Sequence, residues 1–285
     1  MRLLRYLADG SPTIGAVSGE GIVPIGDILP KFTRMKQLAA AGPDALDRLR
    51  DKLAAATPRM ALADARLLAP IERPGKYLAI GMNYRRHMEE AVKLGIAPPT
   101  NQLWFNKQTT CVAGPYDDID PGVTEKLDYE VELGVVIGRT AKNVDADDAP
   151  AHVFGYFVAN DVSARDWQFH TPTFTMGKSF DTHGPIGPWI VTADEIADPH
   201  TLDVRCLVNG ELRQSSNTEQ LIYSVWAQIA YLTTAFTLEP GDLLATGTPE
   251  GVGVSMVPPR FLVEGDVVRC EIDRIGAIEN RIARR

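Results

Sequence analysis

Cysteine is scarce in this chain, and the three present do not cluster. Cys111, Cys206 and Cys270 stand far apart with no CxxC spacing. That argues against a disulfide framework and against a thiolate metal centre, so buried free thiols are the expectation. Long apolar runs are missing too. LIYSVWAQIAYLTTAF, from Leu221 to Phe236, is interrupted by Ser224, Gln228, Thr233 and Thr234. It falls short of the roughly 18–20 apolar residues a membrane span needs and reads as a buried amphipathic helix. Positive charge is in deficit: 29 Lys and Arg against 37 Asp and Glu leave a formal net charge of −8. Such a chain suits neither nucleic acid nor an anionic membrane. Neither GxxxxGK[ST] nor GxGxxG occurs, so nucleotide binding is unsupported. The opening MRLLRYLADGSPTIG lacks a long apolar stretch followed by a small-residue cleavage site. It reads as a mature first strand, and the expected compartment is the cytoplasm.

What is present is an ordinary composition, 45% hydrophobic and 23% charged over 285 residues. That is enough for a large core and one small extra domain. Short apolar runs (RLLRYL, TIGAVS, GIVPI) give a β-rich opening, and residues 32–56 read as helical. Pro74-Gly75 marks a break, so a small N-terminal α/β domain is expected over 1–72 and the main domain over 73–285. In the main domain, EVELGVVIG, GYFVAN, GPWIVT, DVRCLVNGE and DVVRCEI carry strand composition. Asn209-Gly210 is a hairpin signal. The pattern is mainly β with α (α+β), without the strand–helix alternation of a doubly wound sheet.

Against this background DYEVELGVVIG, Asp128 to Gly138, stands out. Glu130 and Glu132 share one face of an apolar strand, where two carboxylates repel each other and resist desolvation. An edge strand with solvated glutamates would be the plain reading. The continuation LGVVIG and the opposite face of Val131, Leu133, Val135 and Ile137 count against it. A third carboxylate, Asp161, ends the apolar run GYFVAND. Acidic groups converging at strand ends suit a hard divalent cation such as Mg²⁺, which takes oxygen ligands. Asp128 has the same parity and is a weaker candidate ligand.

Three further stretches carry chemistry. NYRRHMEEAVKLG reads as a short helix with Asn83 as N-cap and Gly95 at its end. It places His87 and Glu90 one turn apart, the minimal unit of a general base, although RRHMEE also fits a surface helix of mixed charge. In GKSFDTHGP, Lys178 sits in an irregular segment where a lysine is usually solvated. In ATGTPEGVG, free N–H groups and threonine hydroxyls could hold a carboxylate, or the segment is simply a tight turn.

Taken together these stretches resemble the fumarylacetoacetate hydrolase family, in its smaller bacterial type. AIGMNYRRHMEE, LDYEVELGVVIG, GYFVANDVSARDWQ, GKSFDTHGPIGPWIVT, VNGELRQ, LEPGDLLATGTPEGVG and FLVEGDVV fall in family order over about residues 75–285. The resemblance implies a mixed β-sandwich roll, usually in homodimers. It implies Mg²⁺, or Mn²⁺ or Ca²⁺ in some members, on Glu130, Glu132 and Asp161. It implies a His87–Glu90 dyad that activates water, with Lys178 near the metal and substrate oxygens. Arg165, Gln168, Lys178 and Thr248 fall at substrate-contacting positions. The implied reaction is hydrolysis of a C–C bond in a 2,4-dioxo acid or acylpyruvate, through a metal-bound enolate. Relatives isomerise or decarboxylate 2-oxo acids or dehydrate sugar-derived keto acids, and the motifs do not separate these classes. The apolar residues Trp167, Phe169, Phe174 and Met176 face either a substrate tail or the core. Arg85 and Arg86 meet a distal carboxylate or solvent. His170 and His183 receive no role.

Overall fold

The computed structural model describes residues 1–284. The chain opens with a meander: β1 (Arg2–Ala8), β2 (Ser11–Ser18) and β3 (Gly21–Pro24), each antiparallel to the next. Three helices follow, α1 (Ile25–Ile28), α2 (Met35–Ala39) and α3 (Pro43–Leu53). The helical stretch read over 32–56 is split at Gly42, whose φ of 77° breaks the helix, and Pro43 starts the next one. β4 (Met60–Ala61) and β5 (Leu67–Leu68) return to the meander, pairing with β3 and β1.

β6 (Tyr77–Gly81) leads into α4 (Arg85–Lys93), then β7 (Leu103–Asn106), β8 (Val112–Ala113) and β9 (Leu127–Asp128). β10 (Val131–Ile137) and β11 (Val153–Asn160) form the central pair. β12 (Ser163–Ala164), α5 (Arg165–Gln168), α6 (Thr175–Lys178) and β13 (Gly184–Thr192) follow. β14 (Asp203–Val208), β15 (Glu211–Asn217), α7 (Val225–Ala235), β16 (Leu243–Ala245), β17 (Val267–Ile272) and β18 (Gly276–Arg281) complete the chain.

The large sheet runs β4-β3-β2-β1-β13-β11-β10-β16-β6-β7. It curls back on itself, because β8, just beyond β7, pairs in parallel with β13. A second sheet, β15-β14-β17-β18, packs against one face. Alternation on β10 sorts the residues. Val131, Leu133, Val135 and Ile137 join a core with Val204, Cys206, Val268 and Ile278 of the second sheet and with Val225 and Ile229 of α7. Val136, on the opposite face, packs with Tyr77, Phe105 and Phe157 inside the curl. Glu132 has the parity of this inner face. The result is a mixed fold of mostly strand, as its composition suggests.

Several local expectations hold. Asn209 and Gly210 both have positive φ in the β14–β15 turn, as a type I′ hairpin requires. All three cysteines are buried free thiols. The Leu221–Phe236 run holds the helix α7, begun by Ser224, whose Oγ accepts the Ala227 N–H at 3.2 Å. No helix among the described residues is long and apolar enough to cross a membrane. One expectation fails. Asn83 does not cap α4: Tyr84 takes that position with no side-chain bond. The Asn83 side chain turns inward, accepting from Tyr223 N–H at 2.8 Å and donating to the Thr246 carbonyl at 2.8 Å. It ties the turn before α4 to two distant loops.

Candidate active site and metal centre

The three carboxylates do meet. Glu130 directly precedes β10, and Glu132 lies within it. Antiparallel pairing sets Val131 opposite Asn160, so Asp161, just past β11, arrives beside Glu130 and donates its N–H to the Glu130 carbonyl at 2.9 Å. One oxygen of each side chain lies within 4.8 Å of the others, and all three residues are buried.

Positive charge answers two of them well. Lys178 Nζ lies 2.7 Å from Glu130 Oε2 and 2.9 Å from Asp161 Oδ2. Arg165 Nη2 lies 2.7 Å from Glu130 Oε1, a charge contact rather than an aligned hydrogen bond. Burial pushes the Glu130 carboxyl up, but Lys178 and Arg165 outweigh it and hold the group down to about 2. Glu132 differs. Its Oε2 accepts the Gly247 N–H at 2.7 Å, yet burial, Asp161 and Glu130 together push its carboxyl well up. A cluster of three hard oxygen donors with one carboxylate short of positive charge fits a divalent cation.

Lys178 is not the solvated loop lysine its segment suggests. It ends the short helix α6 and is buried. A Cβ at Gly177 would lie 2.4 Å from the Gln168 backbone, so only glycine lets α6 press against α5 and bring Lys178 alongside Arg165 and Gln168. Asp128 is not a ligand. Its carboxylate accepts N–H bonds from Tyr129, Gly253 and Val254 and the Arg165 Nε at 2.8 Å. Those four donors leave no lone pair for a cation; Asp128 instead holds Arg165 against Glu130.

His87 and Glu90 pair on the inner side of α4, Nδ1 to Oε2 at 3.4 Å, and both are largely covered. Glu90 also accepts the Gly251 N–H at 3.1 Å, and Arg86 reaches Glu250 at 3.3 Å. The dyad is therefore docked on the loop after β16 rather than spread over a surface helix. That loop does hold carboxylates, but they are the protein's own.

A cavity of about 330 Å³ joins these parts. His87, Glu130, Glu132, Arg165, Gln168, Lys178 and Thr248 line it. Leu94, Ile96, Phe105, Phe169, Phe174 and Phe261 form an apolar wall. Arg165 donates to Gln168 Oε1 at 3.0 Å, and Thr248 Oγ1 accepts from Gln214 at 2.8 Å. Of the apolar residues flagged in the sequence, Phe169 and Phe174 face the cavity; Trp167 packs tilted against His170 and edge-on against Phe180, and Met176 is half exposed. Among the described residues, Arg85 has no ion pair. His183 is buried, 2.9 Å from the Asp120 carbonyl, a contact that makes Nε2 the donor.

The sequence reading passed over Lys107. This lysine is 2% exposed and donates to Asp161 Oδ1 at 2.5 Å, to the Lys178 carbonyl and to the His183 carbonyl at 3.0 Å. Its signal was there: a lysine directly after the apolar strand LWFN.

A curled roll with an inward acidic triad, a histidine–glutamate pair and a buried lysine is the site of an enzyme, and its three carboxylates fit a divalent cation. The family described as fumarylacetoacetate (FAA) hydrolase C-terminal matches residues 76–283, and the chain belongs to that family. It is 42% identical over 289 residues to "Oxaloacetate tautomerase Fahd2a, mitochondrial" of Rattus norvegicus, covering 99% of this chain and 91% of that one. The fumarylacetoacetate hydrolase of Exiguobacterium antarcticum superposes with a TM-score of 0.87 at 34% identity, over the whole of both chains. Maleylpyruvate hydrolase from Sphingobium sp. SYK-6, in complex with manganese(II) and pyruvate, superposes at 0.81 with 32% identity over 100% of this chain and 99% of that one. The cytoplasmic expectation does not stand. The rat protein and its counterparts from Bos taurus and Homo sapiens are named mitochondrial, and the character of the first residues carried no weight against that.

Proposed function

We propose that the protein is a divalent-metal-dependent enzyme that tautomerises a 2-oxo diacid of the oxaloacetate type between keto and enol forms. The observation that carries this reading is His87. It lines the same cavity as Glu130 and Glu132 of the acidic triad, with its Nδ1 paired with Glu90 and Nε2 left for a substrate proton. The 42% identity to an oxaloacetate tautomerase supports it.

Glu130, Glu132 and Asp161 would hold Mg²⁺ or Mn²⁺, with Ca²⁺ a further fit. The cation supplies Lewis acidity and a template for the 2-oxo acid oxygens. Arg165, Gln168 and Thr248 orient the substrate. His87 Nε2 takes a proton from C3. The C–H electron pair becomes the C2–C3 double bond, and the C2 oxygen receives the proton from the imidazolium. Lys178 places its ammonium where negative charge grows during the transfer. The protein is proposed to work as a homodimer, which light scattering of the purified chain tests.

A second reading is C–C hydrolysis of a 2,4-dioxo acid, with His87 activating water. The apolar wall favours it, since Leu94, Ile96, Phe169, Phe174 and Phe261 leave room for an acyl tail that oxaloacetate lacks. One experiment separates them. Oxaloacetate enol and acylpyruvates are offered with Mg²⁺ or Mn²⁺, enol decay is followed by ultraviolet absorbance, and products are identified by mass. Accelerated enol decay without acylpyruvate cleavage supports tautomerisation; cleavage with unaccelerated decay replaces it with hydrolysis. His87→Ala should lose about 10²–10⁴-fold in kcat with Mn²⁺ binding intact. Unchanged kcat would remove His87 from the mechanism.

A further inference from the structure

Lys107 is the one buried cation of this region that does not face the cavity. Lys178 and Arg165 line it and meet the carboxylates from the open side, Lys178 by hydrogen bonds and Arg165 by its charge. Lys107 approaches from behind, out of the chain that leaves β7, where its own N–H is anchored on the Tyr77 carbonyl at 2.8 Å. Its ammonium has three N–H groups, and all three are used: on Asp161 Oδ1, on the Lys178 carbonyl and on the His183 carbonyl. The acceptors belong to different segments. Asp161 lies just past β11, Lys178 ends α6 and His183 lies just before β13. A side chain that consumes its whole donor set inside the protein has nothing left for substrate.

We propose that Lys107 is a positioning residue that holds the acidic triad ready for its cation. By occupying Asp161 Oδ1 it turns Oδ2 toward Glu130 and Glu132. By bonding the Lys178 carbonyl it fixes the backbone that presents the Lys178 ammonium to the same oxygens. This inference rests on the metal reading above and extends it to a residue that touches neither cavity nor cation.

The direction of the effect separates positioning from simple charge. A positive charge beside a metal ligand opposes a cation, so if Lys107 acted through charge alone, its removal would tighten metal binding. If it positions the ligand, removal loosens binding, and losing such a supporting hydrogen bond typically costs 10–100-fold in metal affinity.

The experiment titrates Mn²⁺ into wild-type, Lys107→Met and Lys107→Arg protein, reading free Mn²⁺ by electron paramagnetic resonance and checking each fold by circular dichroism. A 10–100-fold weaker Mn²⁺ affinity in Lys107→Met, partly recovered in Lys107→Arg, is expected. Equal or tighter binding in folded Lys107→Met overturns the proposal while leaving the metal site standing. Absence of Mn²⁺ binding to wild type overturns both. Should Lys107→Met fail to fold, lysine ammonium NMR of the wild-type protein decides. On adding Mg²⁺ the Lys107 resonance should keep its slow exchange; its loss into the signal of exposed lysines sinks the proposal.

Discussion

At the scale of single residues, His183 shows how burial fixes a protonation state. Burial lowers its pKa from 6.5 to about 4, outweighing the carbonyl of Asp120 that favours the charged ring. The folded protein therefore refuses a proton that the unfolded chain accepts. His183 costs nothing above pH 6.5, where both states are neutral. Stability falls as pH drops from 6.5 toward 4, by up to about 3 kcal/mol when the whole shift is counted. His183→Gln keeps a donor for Asp120 and removes the titration. Urea unfolding between pH 7 and 4 should show a shallower decline in this variant, and parallel curves would contradict the assignment. No sequence signal separated His183 from His170, because neither histidine stands in a pattern; only its burial at the end of the Phe180–His183 turn does so. Glu130, Glu132 and Asp161 were legible because their charge conflicts with an apolar strand. Asp128 shares that pattern yet serves as a scaffold, since its four donors come from residues up to 126 positions away.

Among the elements, the loop after β16 does most to assemble the site. Its Gly247 N–H holds Glu132, its Gly251 N–H holds Glu90, and Gly253 and Val254 hold Asp128. One glycine-rich segment thus sets a proposed metal ligand, the dyad and the support of Arg165. The sequence showed free amides able to bind carboxylates but not whose, because the partners are contributed by other elements. Gly251 can be tested on its own. Its φ is +95°, and a Cβ there would lie 2.2 Å from the Arg213 carbonyl. Gly251→Ala should therefore lose about 1–3 kcal/mol of stability. Displacing the amide from Glu90 should also lower kcat at least tenfold, while Mn²⁺ affinity, which depends on other residues, stays near wild type. Denaturant unfolding, steady-state kinetics and metal titration check the three parts. A kcat equal to wild type would show that Glu90 does not need this amide.

For the whole molecule the open question is how the first 72 residues relate to the rest. Composition places a boundary at 72/73, and the family match begins at residue 76. The sheet has no break there. β1 pairs with β13, Leu3 opposite Ile190, and the chain's first N–H₃⁺ donates to Thr192 Oγ1 at 2.6 Å. The core inside the curl is shared: Leu3, Ile14, Ile25, Met35 and Leu49 belong to one cluster with Tyr77, Phe105, Phe157 and Ile190. Strand composition revealed the meander, but pairing between strands nearly 190 residues apart leaves no local trace in a sequence. Removing residues 1–72 would strip the partner from the β13 edge and uncover the apolar face beneath α2 and α3. An open edge over an exposed core invites aggregation rather than independent folding. The 73–285 fragment should thus come out insoluble, or bind a hydrophobic dye and unfold without a cooperative transition. The full chain under the same conditions should melt cooperatively and gain stability with Mn²⁺, by about 2.7 kcal/mol at a hundredfold excess over Kd. A fragment that unfolds cooperatively and binds Mn²⁺ as the full chain does would make the N-terminal segment a separate domain, and the shared core dispensable to the site.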